Sequence, residues 1–212
     1  MHAVRRAGGF CGYAARRPDS DAPDFRYRYL DLAGGCHDAA DTGRDYLYYD
    51  DDAARALGRA LRGYAHIPLL NDYPKCFAFH TALHSLRMWA EQGLPPPRLP
   101  RIPRRGDGSC RKDAFGNSPG GLRTPMLDLP AARYCSGTVY TGADGTLRTD
   151  WLKGHTEPFS PALLRELYGN ITRYRALAEE AAAAAAAQGM LLPEDRAAAV
   201  EAAAARALRF GL

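Results

Sequence analysis

The stretch FRYRYLDLAGGCHD, residues 25–38, decides the reading of this chain. Phe25, Tyr27 and Tyr29 alternate with polar residues and lead to Leu30 and Leu32, the two-residue period of a strand. The strand runs into Ala33-Gly34-Gly35-Cys36-His37-Asp38, where the glycines end it and a histidine follows at once. A tight loop directly after a strand is where a doubly wound sheet carries its functional residues. His37 is therefore a candidate site residue, although spacing alone fits, and rather favours, a loop histidine with no role.

Working outward, residues 38–75 read as loop, with an acidic run at Asp50-Asp51-Asp52 and a short helix at 53–63. Cys76 to Gln92 reads as an amphipathic helix, because Phe79, Leu83, Leu86 and Trp89-Ala90 recur at three- and four-residue spacing. Gly93 closes it and Pro95-Pro96-Pro97 stops its continuation. Residues 94–125 form a long Pro- and Gly-rich basic connection. Thr124 to Ser136 reads as extended, held to an edge or bulge by its prolines. Residues 137–150 read as a hairpin-like turn around Ala143-Asp144-Gly145.

The C-terminal third reads as helical. Ser160-Pro161 supplies an N-cap with proline in the first turn, and Gly169-Asn170 ends that helix. A second helix spans about 171–188, including Ala181 to Ala187, and stops at Gly189. A third starts at Leu192-Pro193-Glu194-Asp195, with two carboxylates at the positive end of its dipole. These breaks divide the chain into segments 1–93, 94–150 and 151–212.

Composition excludes several classes. The 212 residues are 46% apolar and 25% charged, ordinary for a globular chain that can bury a core. No run of about 18 apolar residues is present, so no membrane span is expected. The start, MHAVRRAGGFCGYAARRPDSD, lacks the apolar segment of a signal peptide, which leaves the cytoplasm as the default location. The net charge of +4 rests on 25 Arg against 3 Lys, scattered along the chain beside 38 Ala. That bias fits a GC-rich coding sequence better than a phosphate-tracking face, so no nucleic-acid partner is expected. Cys11, Cys36, Cys76, Cys110 and Cys135 stand far apart without a C-x-x-C, which reads as scattered reduced thiols.

The remaining candidates are weaker. His80 and His84 share a helix face at i, i+4, but the Glu of H-E-x-x-H is absent and no third ligand is indicated. His66 and His155 read as loop residues. Asp50-Asp51-Asp52 lacks the spaced ligands and distal Glu of a calcium loop. No G-x-G-x-x-G, phosphate-binding loop or G-x-S-x-G occurs, so no cofactor and no metal is indicated. The six serines, at 20, 85, 109, 118, 136 and 160, all lie outside a glycine-flanked elbow.

Several segments, taken in order over about residues 14 to 210, resemble a known family. They are Ala15-Arg16-Arg17-Pro18-Asp19-Ser20-Asp21, Phe25-Arg26 with Asp31 to Asp38, and Asn71-Asp72-Tyr73-Pro74. Arg87-Met88-Trp89 with Gly93 and Pro95-Pro96, DAFGNSPGGLRTPMLDLPAARY from Asp113 to Tyr134, and Pro158-Phe159 to Leu167-Tyr168 follow. The series closes on Gly189-Met190-Leu191-Leu192-Pro193-Glu194-Asp195. The most specific parts are GN-x-x-GG-x-R-T-P-x-x-D-x-P and the closing G-x-L-L-P-E-D. Together they resemble the C-terminal part of a family of bacterial proteins described as α/β-hydrolase domain-containing.

The resemblance implies an α/β fold, a partial α/β-hydrolase, in which this chain alone is mainly helical with a few strands and long irregular loops. It implies that His37, after the last core strand, is the triad histidine. In that fold the chain order is Ser, acid, His, with the serine on a G-x-S-x-G elbow. Only 36 residues precede His37, whereas one βαβ unit needs about 30. The nucleophile and acid are therefore expected upstream of Met1, and Asp19 and Asp21 lie too near the strand to be nominated.

Two functional readings follow. In the first, the chain is a C-terminal fragment of a serine hydrolase acting on a small-molecule ester or related acyl compound. It supplies His37, is inactive alone, and is completed by an upstream polypeptide carrying the nucleophile. In the second it is a non-catalytic remnant or a protein-interaction module.

Overall fold

The computed structural model describes residues 17–37, 55, 56, 58, 67 and 69–212. Within them short strands pair locally and helices supply most of the regular structure. Strands β1 (Ser20–Ala22) and β2 (Phe25–Tyr27) form an antiparallel hairpin. Helix α1 (Cys76–Gln92) follows, then a long irregular stretch to the four-residue helix α2 (Pro125–Asp128). Strand β3 (Ala132–Cys135) pairs antiparallel with β6 (His155–Pro158), and the hairpin of β4 (Thr138–Thr141) and β5 (Leu147–Asp150) lies between them in sequence. Helices α3 (Pro161–Tyr168), α4 (Ile171–Ala187) and α5 (Arg196–Arg209) end the chain.

The helical third follows its sequence signals. Ser160 Oγ accepts from the Leu163 amide at 3.2 Å, with Pro161 in the first turn. Asn170 does not end a helix but starts one, its Oδ1 accepting from the Arg173 amide at 3.0 Å. Gly189, at φ +68°, follows α4 in the left-handed region that glycine adopts without strain. Helices α4 and α5 pack through alanines: Ala178, Ala182 and Ala185 on one, Ala199, Ala203, Ala204 and Ala207 on the other, all buried. Small side chains let the two axes approach closely, so the alanine runs serve as a packing surface. Tyr168 and Tyr174 meet edge to face, centroids 4.9 Å apart, and donate their hydroxyls to the carbonyls of Pro130 and Leu129.

Three expectations fail, each for a physical reason. The strand read at 25–32 is only three residues long, because the chain turns at Pro23-Asp24 and pairs it locally with β1. Its continuation makes one isolated parallel bridge, Leu32 to Leu122, with the Leu122 amide donating to the Asp31 carbonyl at 2.7 Å. Thr124 to Ser136 is not continuously extended, because Pro125 starts the turn of α2 before β3 begins. Helix α1 has the expected bounds but buries another face: Phe77, Thr81 and Trp89 point inward. Phe79, Leu83 and Leu86 remain 59%, 64% and 59% exposed. Arg28 stacks on the Trp89 ring at 5.2 Å, and the Thr81 hydroxyl reaches the Met190 carbonyl, which fixes the orientation.

The amino-terminal hairpin is held by charge. Arg28 bonds Asp21 at 2.6 Å and the Pro96 carbonyl at 2.9 Å, Arg98 bonds Asp21 at 2.7 Å, and Arg101 bonds Asp19 at 2.5 Å. The guanidinium of Arg98, and then that of Arg28, hold the Asp21 carboxyl below its ordinary range. Asp19 and Asp21 thus anchor the hairpin to the 94–103 stretch. Among the described residues no helix is long and apolar enough to cross a membrane.

Candidate functional site

The loop that carries His37 is positioned by Asn71, which is fully buried. Its Nδ2 donates to the Gly34 carbonyl at 2.9 Å and to the Cys135 carbonyl at 3.1 Å, while its Oδ1 accepts from the Tyr73 amide at 3.0 Å. One amide thereby ties the glycine loop to the end of β3. Gly34 has φ +77°, and a Cβ there would come within 3.0 Å of the Tyr73 ring. Gly154 admits a still closer approach: a Cβ would lie 2.1 Å from the Cys135 carbonyl oxygen and 2.7 Å from Cys36 Cβ.

Beyond this latch His37 lines a cleft of about 300 Å³ shared with Asp31, Arg104, Lys112, Tyr134 and Ser136. His37 itself is exposed at the rim, and Lys75 Nζ donates to its carbonyl at 2.9 Å. Ser118 lines the same cleft and accepts from Lys112 Nζ at 3.3 Å. The structure therefore brings Ser118 and Ser136 into the cleft of His37, although neither stands on a strand-to-helix elbow.

A second cavity of about 620 Å³ adjoins the first through Lys112 and Ser136. Its wall is the outward face of the β3–β6 pair. Register places Arg133 opposite Glu157 and Cys135 opposite His155, and alternation puts all four on one face while Tyr134 and Thr156 turn inward and are buried. His155 Nε2 lies 3.0 Å from Glu157 Oε1, and Cys135 Sγ lies 4.0 Å from the same oxygen. Arg133 pairs with the other carboxylate oxygen, Oε2. Thr138 Oγ1 donates its single proton to the Lys153 carbonyl at 2.9 Å, so it accepts from His155 Nδ1 at 3.0 Å. The network thus assigns a proton to Nδ1, and the Nε2–carboxylate contact calls for a second. In agreement, the neighbouring Cys135 sulfur, helped by Glu157, raises His155 to about 9 against the cost of its burial. Arg133 holds Glu157 below its usual range, and burial lowers Lys112.

The sequence motifs acquire structural roles. Asn117 is fully buried, donating to the Ala132 carbonyl at 3.0 Å and accepting from the Tyr134 amide at 2.9 Å. Arg123 reaches Asp128, the Ser118 carbonyl and the Leu127 carbonyl, and Tyr73 meets the Thr124 hydroxyl at 3.0 Å. The GN-x-x-GG-x-R-T-P-x-x-D-x-P block is therefore the brace beneath β3. A family model described as an alpha/beta hydrolase domain matches residues 7–201. The chain belongs to this family. Residues of the hydrolase-family segments line both cavities: Gly34, His37, Ser118 and Tyr134 the first, Gly116 and Arg133 the second. No match to a curated protein or to a solved structure was found.

The other candidates of this hydrolase-family chain separate from the two cavities. His80 Nδ1 pairs with Asp195 at 2.9 Å, joining α1 to the L-L-P-E-D segment, while His84 is exposed. Among the described residues, Cys135, His155 and Glu157 are the group whose ligand-type atoms converge; His80 and His84 belong to none. His66 and Asp50-Asp51-Asp52 lie outside the described residues. Cys36, Cys76 and Cys135 are thiols, but Cys110 is disulfide-bonded, so the expectation of reduced thiols throughout fails there. Sequence reading missed Cys135 and His155 as partners, and took His155 for a loop residue. They stand twenty positions apart with a hairpin between, and short strands of this kind leave only a weak alternating signal.

Proposed function

We propose that this α/β-hydrolase-family chain takes part in hydrolysis of a small ester or related acyl compound, with His37 as the general base. The observation that carries the reading is the place of His37 on the rim of the cleft, the residue that the family resemblance implies as the triad histidine. There the imidazole would take the proton of a serine nucleophile as it attacks the acyl carbon and return it to the departing alcohol. None of the six serines has the G-x-S-x-G setting, so the reading requires a nucleophile and an acid supplied from outside these residues, and we propose an upstream polypeptide as their source. An exposed rim suits a base that must meet a group supplied from outside. Arg104 and Lys112 add positive charge to the cleft, which would favour developing oxyanions.

The test is hydrolysis of a short-chain aryl ester by the full chain, alone and together with the upstream polypeptide. The mixture is expected to turn over, the chain alone to be inactive, and His37→Ala to lower the mixture's rate by at least about 10³-fold. An unchanged rate in His37→Ala overturns the assignment, and an upstream region without a nucleophile elbow removes the proposed partner. A second reading, an interaction module, draws on one observation: the exposed stripe of Phe79, Leu83 and Leu86 on α1. Absence of turnover in every combination would favour it.

A further inference from the structure

We propose that Cys135, His155 and Glu157 form a binding site for a divalent transition metal of the zinc type, with a coordination position open to the second cavity. The thiol sulfur, one imidazole nitrogen and one carboxylate oxygen all lie within 4.8 Å of one another. Tetrahedral zinc with ordinary bond lengths separates such atoms by about 3.4–3.6 Å. The observed 3.0 Å from Nε2 to Oε1 and 4.0 Å from Sγ to Oε1 bracket that spacing, so small side-chain shifts admit an ion.

The arrangement distinguishes a metal site from a nucleophilic triad. A cysteine–histidine–acid relay needs the thiol on one ring nitrogen and the acid on the other. Here Nδ1 is already committed to Thr138, and Glu157 sits on Nε2, within 4.0 Å of the thiol. The donors converge on a point instead of forming a line.

The surroundings complete the case. Thr138 holds the imidazole by Nδ1, as outer partners of metal-bound histidines do, and leaves Nε2 for the ion. Arg133 engages Glu157 Oε2 and leaves Oε1 facing His155 and Cys135. Both strands fix the donors through the backbone ladder, which is firmer support than a loop. One sulfur, one nitrogen and one oxygen donor suit zinc or cobalt and not calcium or magnesium. On loading, the protons carried by Sγ and Nε2 pass to solvent, and Oε1 exchanges its hydrogen bond for a metal bond. Thiolate and carboxylate then neutralise the ion. Arg133 and Lys112 line the cavity, so hydroxide or a small anion suits the open position.

The experiment treats the full chain with chelator and titrates it with Co²⁺. One equivalent should bind, giving a sulfur-to-cobalt charge-transfer band that Zn²⁺ abolishes. The band should be lost in Cys135→Ser and kept in Cys76→Ser. Thr138→Val should weaken zinc affinity about 10–100-fold while the fold, followed by circular dichroism, is kept. A measurement on the unaltered chain guards against misfolding: Zn²⁺ should slow alkylation of Cys135, mapped by mass spectrometry, and leave Cys76 unprotected. Absence of the band in the unaltered chain, an unchanged band in Cys135→Ser, or equal alkylation of Cys135 with and without zinc would each overturn the proposal.

Discussion

The two adjoining cavities are built on opposite plans. His37 stands on a glycine loop at the exposed rim of one, and its loop is anchored by hydrogen bonds to Asn71 and Lys75. Cys135, His155 and Glu157 stand on paired strands in the other, placed by ladder register. A base that must accept a proton from a group supplied elsewhere gains from a rim position. A set of donors meant for one small ion gains from rigid convergence, since coordination tolerates little misplacement. Nearness therefore does not imply shared chemistry: Lys112 and Ser136 border both cavities, while the groups assigned to each remain distinct.

Variants can break or sharpen this contrast. The largest effect is expected at His37, where alanine should remove at least about 10³-fold of the reconstituted hydrolysis and leave cobalt binding unchanged. A parallel loss of metal affinity would merge the two sites. Asn71→Ala comes next, because Asn71 joins the His37 loop to β3. Leaving its buried partners unsatisfied should cost about 3 kcal/mol in urea unfolding and disturb both cavities together. An effect confined to one cavity would show that they are anchored separately.

Smaller changes probe the frame. Tyr174→Phe removes the hydroxyl that meets the Leu129 carbonyl at 2.8 Å and should cost about 1–2 kcal/mol, with hydrolysis and metal binding intact. Loss of either function would mean that the helical layer sets site geometry directly. Leu83→Lys, on the exposed face of α1, should change stability by less than about 0.5 kcal/mol and affect neither cavity. A large destabilisation would indicate that the stripe is covered in solution.

These contrasts also explain what could be read from the residues alone. Ser160, Pro161 and Gly189 act within a few residues of themselves, so the boundaries they set were legible, whereas Asn170 was read as an end and is a start. The period of α1 was legible as well, but not its buried face, which Arg28 and Met190 select from distant parts of the chain. The glycines and the strand-like run before His37 singled it out as a candidate, and the fold places it on the rim of a cleft. Cys135 and His155 were not legible, because only the β3–β6 pairing brings them together. The family motifs were legible as a resemblance, whereas their bracing roles, such as Asn117 bonding Ala132 and Tyr134, required the fold.

The proposed division of labour between the cavities is tested most directly by ester hydrolysis in the proposed mixture with the upstream polypeptide, comparing the unaltered chain, His37→Ala and Cys135→Ser with and without zinc. The account predicts a fall of at least about 10³-fold in His37→Ala under both conditions and a rate within about twofold of the unaltered chain in Cys135→Ser. Loss of hydrolysis in Cys135→Ser, with His37→Ala unaffected, would contradict it.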